Sequence, residues 1–346
     1  MPPPQPSPGV PGEGEVRVIA QGHLGELPKF VFAVAALACV AFMLPGCKKD
    51  VAAPANDLPT ASITLDWRPE PEFGGFYQAR AHGDFKSAGL NVDLKNAGLG
   101  APTWQLVAGG KTDFATTSAD LVLLARSQGA DVVALFAVYQ TSPQGIMVHK
   151  ARGFTKIEDV FTHPGTLAVE DNPWLTYLLA KVGKPTVTIT GSPSVAVFMA
   201  KPDYSQQCFV TSEPILATQQ GGDPQSFLAA DAGFNPYVTV LITNGTTLKE
   251  KPELVKKVVT ACRTGWRAYL DDPSAANAEM GALNKEMDAR TFAQAAEAQK
   301  PLIETDETRK NGLGTMTLSR WKTLGQQLVD LKVIDKAPPA EECFVK

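Results

Sequence analysis

In "TLDWRPEPEFGGFYQA", residues 64–79, Trp67, Phe73, Phe76 and Tyr77 crowd around two prolines, two glycines and the carboxylates of Glu70 and Glu72. "EDNPW" places Asp171 and Asn172 just before Trp174, and "TSEP" sets Glu213 ahead of a proline. Flat rings beside acids are suited to holding a small molecule, with faces for stacking and carboxylates for accepting hydrogen bonds. Groups for covalent chemistry are missing. There is no Ser-His-Asp or Cys-His arrangement, and His23, His82, His149 and His163 are scattered with no zinc-like spacing. "GLGAPT" and "GGKTDF" are too short and wrongly placed for a Walker phosphate loop. The sequence therefore reads as a binding protein, not an enzyme, with no catalytic residue, metal or cofactor.

The elements that carry these residues alternate. From residue 62 onward short β-branched or apolar runs ("SITLDW", "LNVDLKNA", "TDFATTS") are each followed by a segment of helical periodicity, with one helix expected over 74–87. "DVVALFAVYQ" is nearly all apolar, the mark of a strand buried on both faces. The pattern restarts after residue 150, then gives way to helices over 250–335. This predicts an α/β, two-lobed fold, each lobe a mostly parallel sheet flanked by helices. Residues 61–142 plus 238–337 form lobe 1, and 146–234 form lobe 2, joined by a two-strand hinge.

Open α/β sheets bind ligands beyond the carboxyl ends of their strands. The strand-to-helix turns at 67–77, 96–104, 117–120, 139–144, 170–174, 191–194 and 211–214 therefore frame the cleft. They supply Trp67, Glu70, Phe73, Tyr77, Ser118, Asp120, Tyr139, Asp171, Asn172, Trp174 and Glu213 as candidate ligand-binding residues. Simpler roles stand beside these. Trp67 can end a strand in the core, Tyr77 and Trp174 can be packing, Glu70 and Glu72 a solvated turn, Asp120 a cap with Ser118, and Glu213 a helix-end charge. Phe76, Trp104, Trp266 and Trp321 read as core.

Formal charge is −4 over 346 residues with no long basic run, which excludes a nucleic-acid partner. Residues 1–47 read as a signal peptide whose Pro/Gly-rich opening is compatible with an over-extended start, followed by Lys29, an apolar run too short to span a bilayer, and Leu44-Pro45-Gly46-Cys47. That ending resembles a bacterial lipobox, making Cys47 the lipidation site and 48–60 a flexible tether to the membrane. Of the remaining cysteines, Cys262 and Cys343 are the expected disulfide, with Cys208 a buried thiol and 338–346 a loose tail.

"LDWRPEPEFGGFYQARAHGDFKSAGLNVDL" resembles the start of the periplasmic solute-binding proteins for thiamine-pyrimidine precursors and aliphatic sulfonates, components of ABC importers. Asp66, Trp67, Pro69, Gly75, Tyr77, Gly83, Phe85, Gly89, Leu90 and Val92 match that family's opening, and "FVTSEPILATQQGG" resembles its Asn-Glu-Pro segment. The likeness runs from about residue 62 to 335 and implies the periplasmic-binding-protein fold of type II. It also implies an extracytoplasmic monomer that hands a small heteroaromatic ligand to ABC permease subunits. Trp67 would stack on the ring and Glu213 accept from its amino or imino groups. Glu70 and Phe73 stand where thiamine-precursor binders have Asn and His, which suits a larger ring such as a flavin. Three rivals remain at this point: a thiamine-pyrimidine synthase-like enzyme, a sensory binding protein, and an aliphatic-sulfonate binder. The last wants cations, and Arg68 is the only one in these turns.

Overall fold

The computed structural model describes residues 58–98 and 101–345; the expected signal segment, Cys47 and nearly all of the tether lie outside the described residues. The first sheet opens with β1 (Thr60–Leu65), β2 (Asn91–Asn96), β3 (Phe114–Thr117) and β4 (Val132–Tyr139). The second holds β5 (Gln144–His149), β6 (Thr166–Ala168), β7 (Thr188–Thr190), β8 (Tyr204–Phe209) and β9 (Pro224–Leu228). The chain then returns to the first sheet as β10 (Val238–Asn244), giving orders β2-β1-β3-β10-β4 and β7-β6-β8-β5-β9.

β1 runs parallel to β2 and β3, and β6 parallel to β7 and β8. The antiparallel members, β5 and β10, are the strands the chain enters on crossing between sheets. A crossing of four to nine residues is too short to hold the helix a parallel entry needs. The two crossings are tied together, since Ser142 N–H donates to Asn235 Oδ1 at 2.8 Å.

All eight residues of β4 are buried, as the apolar run predicts. Its side chains feed two cores, and the alternation breaks at Leu135–Phe136, where the register with β10 shifts. Val132, Ala134 and Ala137 join one on one face, while Leu135, Phe136 and Val138 join the other. That arrangement corrects the expected disulfide. Cys262 lies in the core on one face and Cys343 in the core on the other, and both are buried free thiols, as is Cys208.

The C-terminal segment is also not loose. Ala134 N–H donates to Cys343 O at 2.9 Å, Val345 N–H returns to Ala134 O at 2.9 Å, and Phe344 stacks on Trp321. β4 is an edge strand with unpaired backbone groups, and this segment covers them.

The expected helix over 74–87 is two helices, Gly74–Ala81 and Asp84–Ser87, broken where Gly83 takes φ 78°. Gly74 and Gly75 serve packing: a Cβ on either would overlap the rings of Tyr269 and Trp266. The Gly74–Ala81 helix thus lies directly on the Pro252–Asp271 helix, whose own Gly265 faces the Gly75 carbonyl. Phe76, Trp266 and Trp321 are core, as the sequence predicts. Among the described residues no helix is long and apolar enough to cross a membrane.

Candidate functional site

A cavity of about 280 Å³ lies where the carboxyl ends of β1, β6 and β8 meet the start of β5. Trp67, Glu70, Asp171, Asn172, Trp174 and Glu213 line it together. Phe73, Tyr77, Ser118, Asp120 and Tyr139 are not among its lining residues. The lining also includes Asp66, Glu72, Gln144 and Glu170, which sit in or beside the turns that frame the cleft. Gln207, Cys208, Phe209 and Ser212 complete it; the first three end β8, where the carboxyl-end rule, applied to every strand, would have found them.

The wall from lobe 1 is the loop 66–73. Pro69 and Pro71 have no N–H to donate, so the loop cannot extend a β-ladder, and its carbonyls need other partners. Three side-chain amides supply them. Asn96 Nδ2 donates to Trp67 O at 2.9 Å, Asn284 Nδ2 to Pro69 O at 3.0 Å, and Gln299 Nε2 to Pro71 O at 3.0 Å.

This explains two misplaced tyrosines. The Tyr77 hydroxyl donates to Asn96 Oδ1 at 2.7 Å and the Tyr139 hydroxyl to Gln299 Oε1 at 2.6 Å. Both are positioning residues behind the loop, each orienting an amide that grips it. Phe73, 1% exposed, anchors the loop's end in the core. Asp120 is buried beside Ser118 at the start of the Ala119–Ser127 helix, where no side chain makes the capping hydrogen bond; burial raises its carboxyl while hydrogen bonding opposes the shift. What remains facing the cavity is Trp67, 36% exposed, with the Arg68 guanidinium 5.4 Å from its ring centre.

The wall from lobe 2 is held more locally. Asn172 Oδ1 accepts from Leu175 N–H at 2.9 Å, capping the Pro173–Val182 helix, and its Nδ2 donates to Glu170 O at 2.7 Å. Gln207 Oε1 accepts from Glu170 N–H at 2.8 Å. Glu213 opens the Glu213–Gln219 helix and turns back to accept from Phe209 N–H at 2.9 Å. Trp174, 3% exposed, gives the cavity an edge and belongs mostly to the core.

Electrostatically the site is one-sided. Six of its lining residues are carboxylates (Asp66, Glu70, Glu72, Glu170, Asp171 and Glu213), and no lysine, arginine or histidine lines it among the described residues. Burial first, and the Glu213 charge second, push the Glu70 carboxyl up to about 7 against the opposing pull of Arg68. Glu72 is raised in the same sense, through burial and then Glu70, Asp66 and Glu213. Burial also raises Asp66 and Glu213, each partly relieved by hydrogen bonds. Such a cluster cannot ionise completely, so at neutral pH it holds protons. Burial and Glu213 push the Cys208 thiol well up, leaving no thiolate to act as a nucleophile. No three described His, Cys, Asp or Glu residues are arranged to hold a metal ion.

The chain is 26% identical over 295 residues to the riboflavin-binding protein RibY of Chloroflexus aurantiacus, covering 78% of this chain and 81% of that one. Among solved structures, the periplasmic aliphatic sulphonate binding protein SsuA of Escherichia coli superposes with a TM-score of 0.64 at 12% identity, covering 83% of this chain and 92% of that one. The desulfurization enzyme DSZB shares the fold as well, with a TM-score of 0.57 at 13% identity, over 82% and 96% of the two chains. The sequence profile of the NMT1/THI5-like family matches residues 70–276, which span the loop of Glu70 and Glu72, the whole lobe 2 sheet and β10. The chain belongs to the NMT1/THI5-like family.

Proposed function

We propose that this chain is the extracytoplasmic substrate-binding component of an ABC importer, which captures a small heteroaromatic nutrient between its lobes and delivers it to the permease without transforming it. A flavin of the riboflavin type is the preferred ligand, with a thiamine-pyrimidine precursor as the smaller alternative. The observation that carries this reading is the interlobe cavity in which Trp67 presents its ring beside carboxylate acceptors. The likeness to a riboflavin-binding protein over most of both chains supports the ring class. In this reading Trp67 stacks on the ring, and Glu70, Glu213, Asp171 and Asn172 fix its orientation by hydrogen bonds. Lobe 2 swings on the two crossings to cover the ligand, and the closed form reports occupancy to the permease. Lipidation at Cys47, a monomeric state and residence at the cell envelope complete the proposal, resting on the sequence alone.

The sulfonate reading fits the lining poorly. An anionic headgroup needs cations or several N–H donors, and the cavity offers carboxylates. An enzyme on this scaffold lacks an activated nucleophile at the cavity, given the protonated Cys208.

The test is mass spectrometry of whatever co-purifies with the protein, followed by a thermal-shift panel of pyrimidines, thiamine, flavins and sulfonates. At a hundredfold excess over its dissociation constant a true ligand adds ~2.7 kcal/mol of stability. The proposal fails if no ring compound raises the melting temperature, or if one is consumed.

A further inference from the structure

Within the binding-protein reading above, on which this inference rests, the cavity lining contains a group with nothing to do. Three of the deep carboxylates already have partners from the chain. Asp66 receives the Thr116 hydroxyl, Glu70 has the Arg68 guanidinium 3.8 Å away, and Glu213 receives the Phe209 amide at 2.9 Å. Glu72 lines the same cavity and makes no hydrogen bond or ion pair among the described residues. It cannot swing out to find one easily. Its turn, Pro71–Phe73, is fastened by Gln299 at the Pro71 carbonyl and by the buried Phe73 ring.

The one nearby cation is committed elsewhere. The Arg68 guanidinium pairs with Glu286, lies 3.8 Å from Glu70 and covers the Trp67 ring. Glu72 is half-buried, and an acceptor of this kind becomes unfavourable once an occupant covers it unless that occupant supplies the donor; here the open side is the cavity.

We infer that the cleft is selective by charge: it takes ring compounds that are uncharged or cationic and rejects their anionic forms, with Glu72 as the acceptor held open for a donor on the ligand. An incoming phosphate or sulfonate adds negative charge to a cluster of six acids that already resists full ionisation, with no lysine, arginine or histidine in the lining among the described residues to offset it. An N–H or hydroxyl donor instead satisfies Glu72 at no electrostatic cost. The upward shift of the neighbouring acids points the same way, because the cluster already resists its own full ionisation.

Two matched pairs test this on the full chain in mild detergent: riboflavin against flavin mononucleotide, and thiamine against thiamine monophosphate. Each pair differs by a phosphate ester, and binding is read by calorimetry or tryptophan quenching. Whichever parent binds, its phosphate ester is expected to bind at least about thirtyfold more weakly. Glu72→Gln, which keeps an acceptor but cannot ionise, is expected to narrow that ratio by about fivefold or more when binding is read at alkaline pH, where the cluster gives up its protons, separating charge from steric fit. Glu72→Ala, which removes the acceptor, is expected to weaken the parent by about tenfold. If Glu72→Ala does not fold, Glu72→Gln carries the test.

A phosphate ester that binds as well as its parent overturns the inference and leaves the binding-protein reading standing. A discrimination ratio unchanged in Glu72→Gln overturns Glu72 as its determinant. If none of the four compounds binds, this inference and the flavin preference fall, while the binding reading is decided by the wider ligand panel.

Discussion

The two walls of the cleft are built on opposite plans. The lobe 1 wall, residues 66–73, has almost no regular structure of its own and is held by amides that arrive from far along the chain. Asn284 and Gln299 lie more than two hundred residues beyond the loop they grip, and Asn96 and Gln299 are themselves oriented by Tyr77 and Tyr139. The lobe 2 wall is held by its own neighbours, with Asn172 capping its own helix and Glu213 bonding an amide four residues back. A wall held by local caps forms as its helices form. A wall held by remote amides is complete only when the whole lobe has folded around it, and in return its tryptophan and acids are held rigidly. The exposed aromatic face and most of the strained charge sit on the wall that the fold holds more elaborately, which is how binding groups are kept in an unfavourable arrangement.

This contrast can be broken at several points. The largest effect is expected at the rim of the lobe 1 wall. Trp67→Ala should cost at least about a hundredfold in ligand affinity with little change in melting temperature, since the ring is 36% exposed. A large fall in stability with affinity retained would reassign Trp67 to the core.

Next comes pH. Glu70 holds its proton in the folded state up to about 7, against 4.5 when unfolded. Stability from this group is therefore complete below about pH 4.5 and is lost as pH rises towards 7, by at most about 3 kcal/mol, with Glu72 acting in the same sense. Denaturant midpoints measured across that range check the sign, and Glu70→Gln should flatten the slope.

Third, Gln299→Ala leaves the Pro71 carbonyl and the Tyr139 hydroxyl without partners. It should cost about 1–3 kcal/mol of stability and weaken binding as well, because the loop loses its register. Unfolding and titration on the same variant test both halves.

The smallest effect sharpens the comparison from the other side. Asn172→Ala removes a local cap and should cost about 1 kcal/mol in stability without disturbing the lobe 1 wall. If Asn172→Ala harms binding more than Gln299→Ala does, the two walls do not differ in the way described.

Much of this was legible in the sequence, and the failures follow a pattern. Alternating strand and helix signals indicate two sheets, and the apolar run 131–140 indicates a strand buried on both faces, because periodicity is a local property. The carboxyl-end rule brings Trp67, Glu70, Asp171, Asn172, Trp174 and Glu213 to one cavity. It also admits Tyr77 and Tyr139, since it ranks residues by chain position and cannot see that their hydroxyls are taken by Asn96 and Gln299. The Cys262–Cys343 pairing fails for a related reason. Spacing carries no record of which face of β4 and β10 each thiol will lie behind.

By itself, then, the amino-acid sequence determined which segments become strands and helices and which turns meet at the cleft, because those follow from side-chain period and from where glycine and proline fall. Only the tertiary structure decided which ring stays exposed, which carboxylate is left without a donor, and why Gly74 and Gly75 are glycines. Each of those depends on a partner brought from a distant part of the chain, such as Gln299, Tyr269 or Trp266, and burial and hydrogen-bond competition are settled only when all the partners are in place.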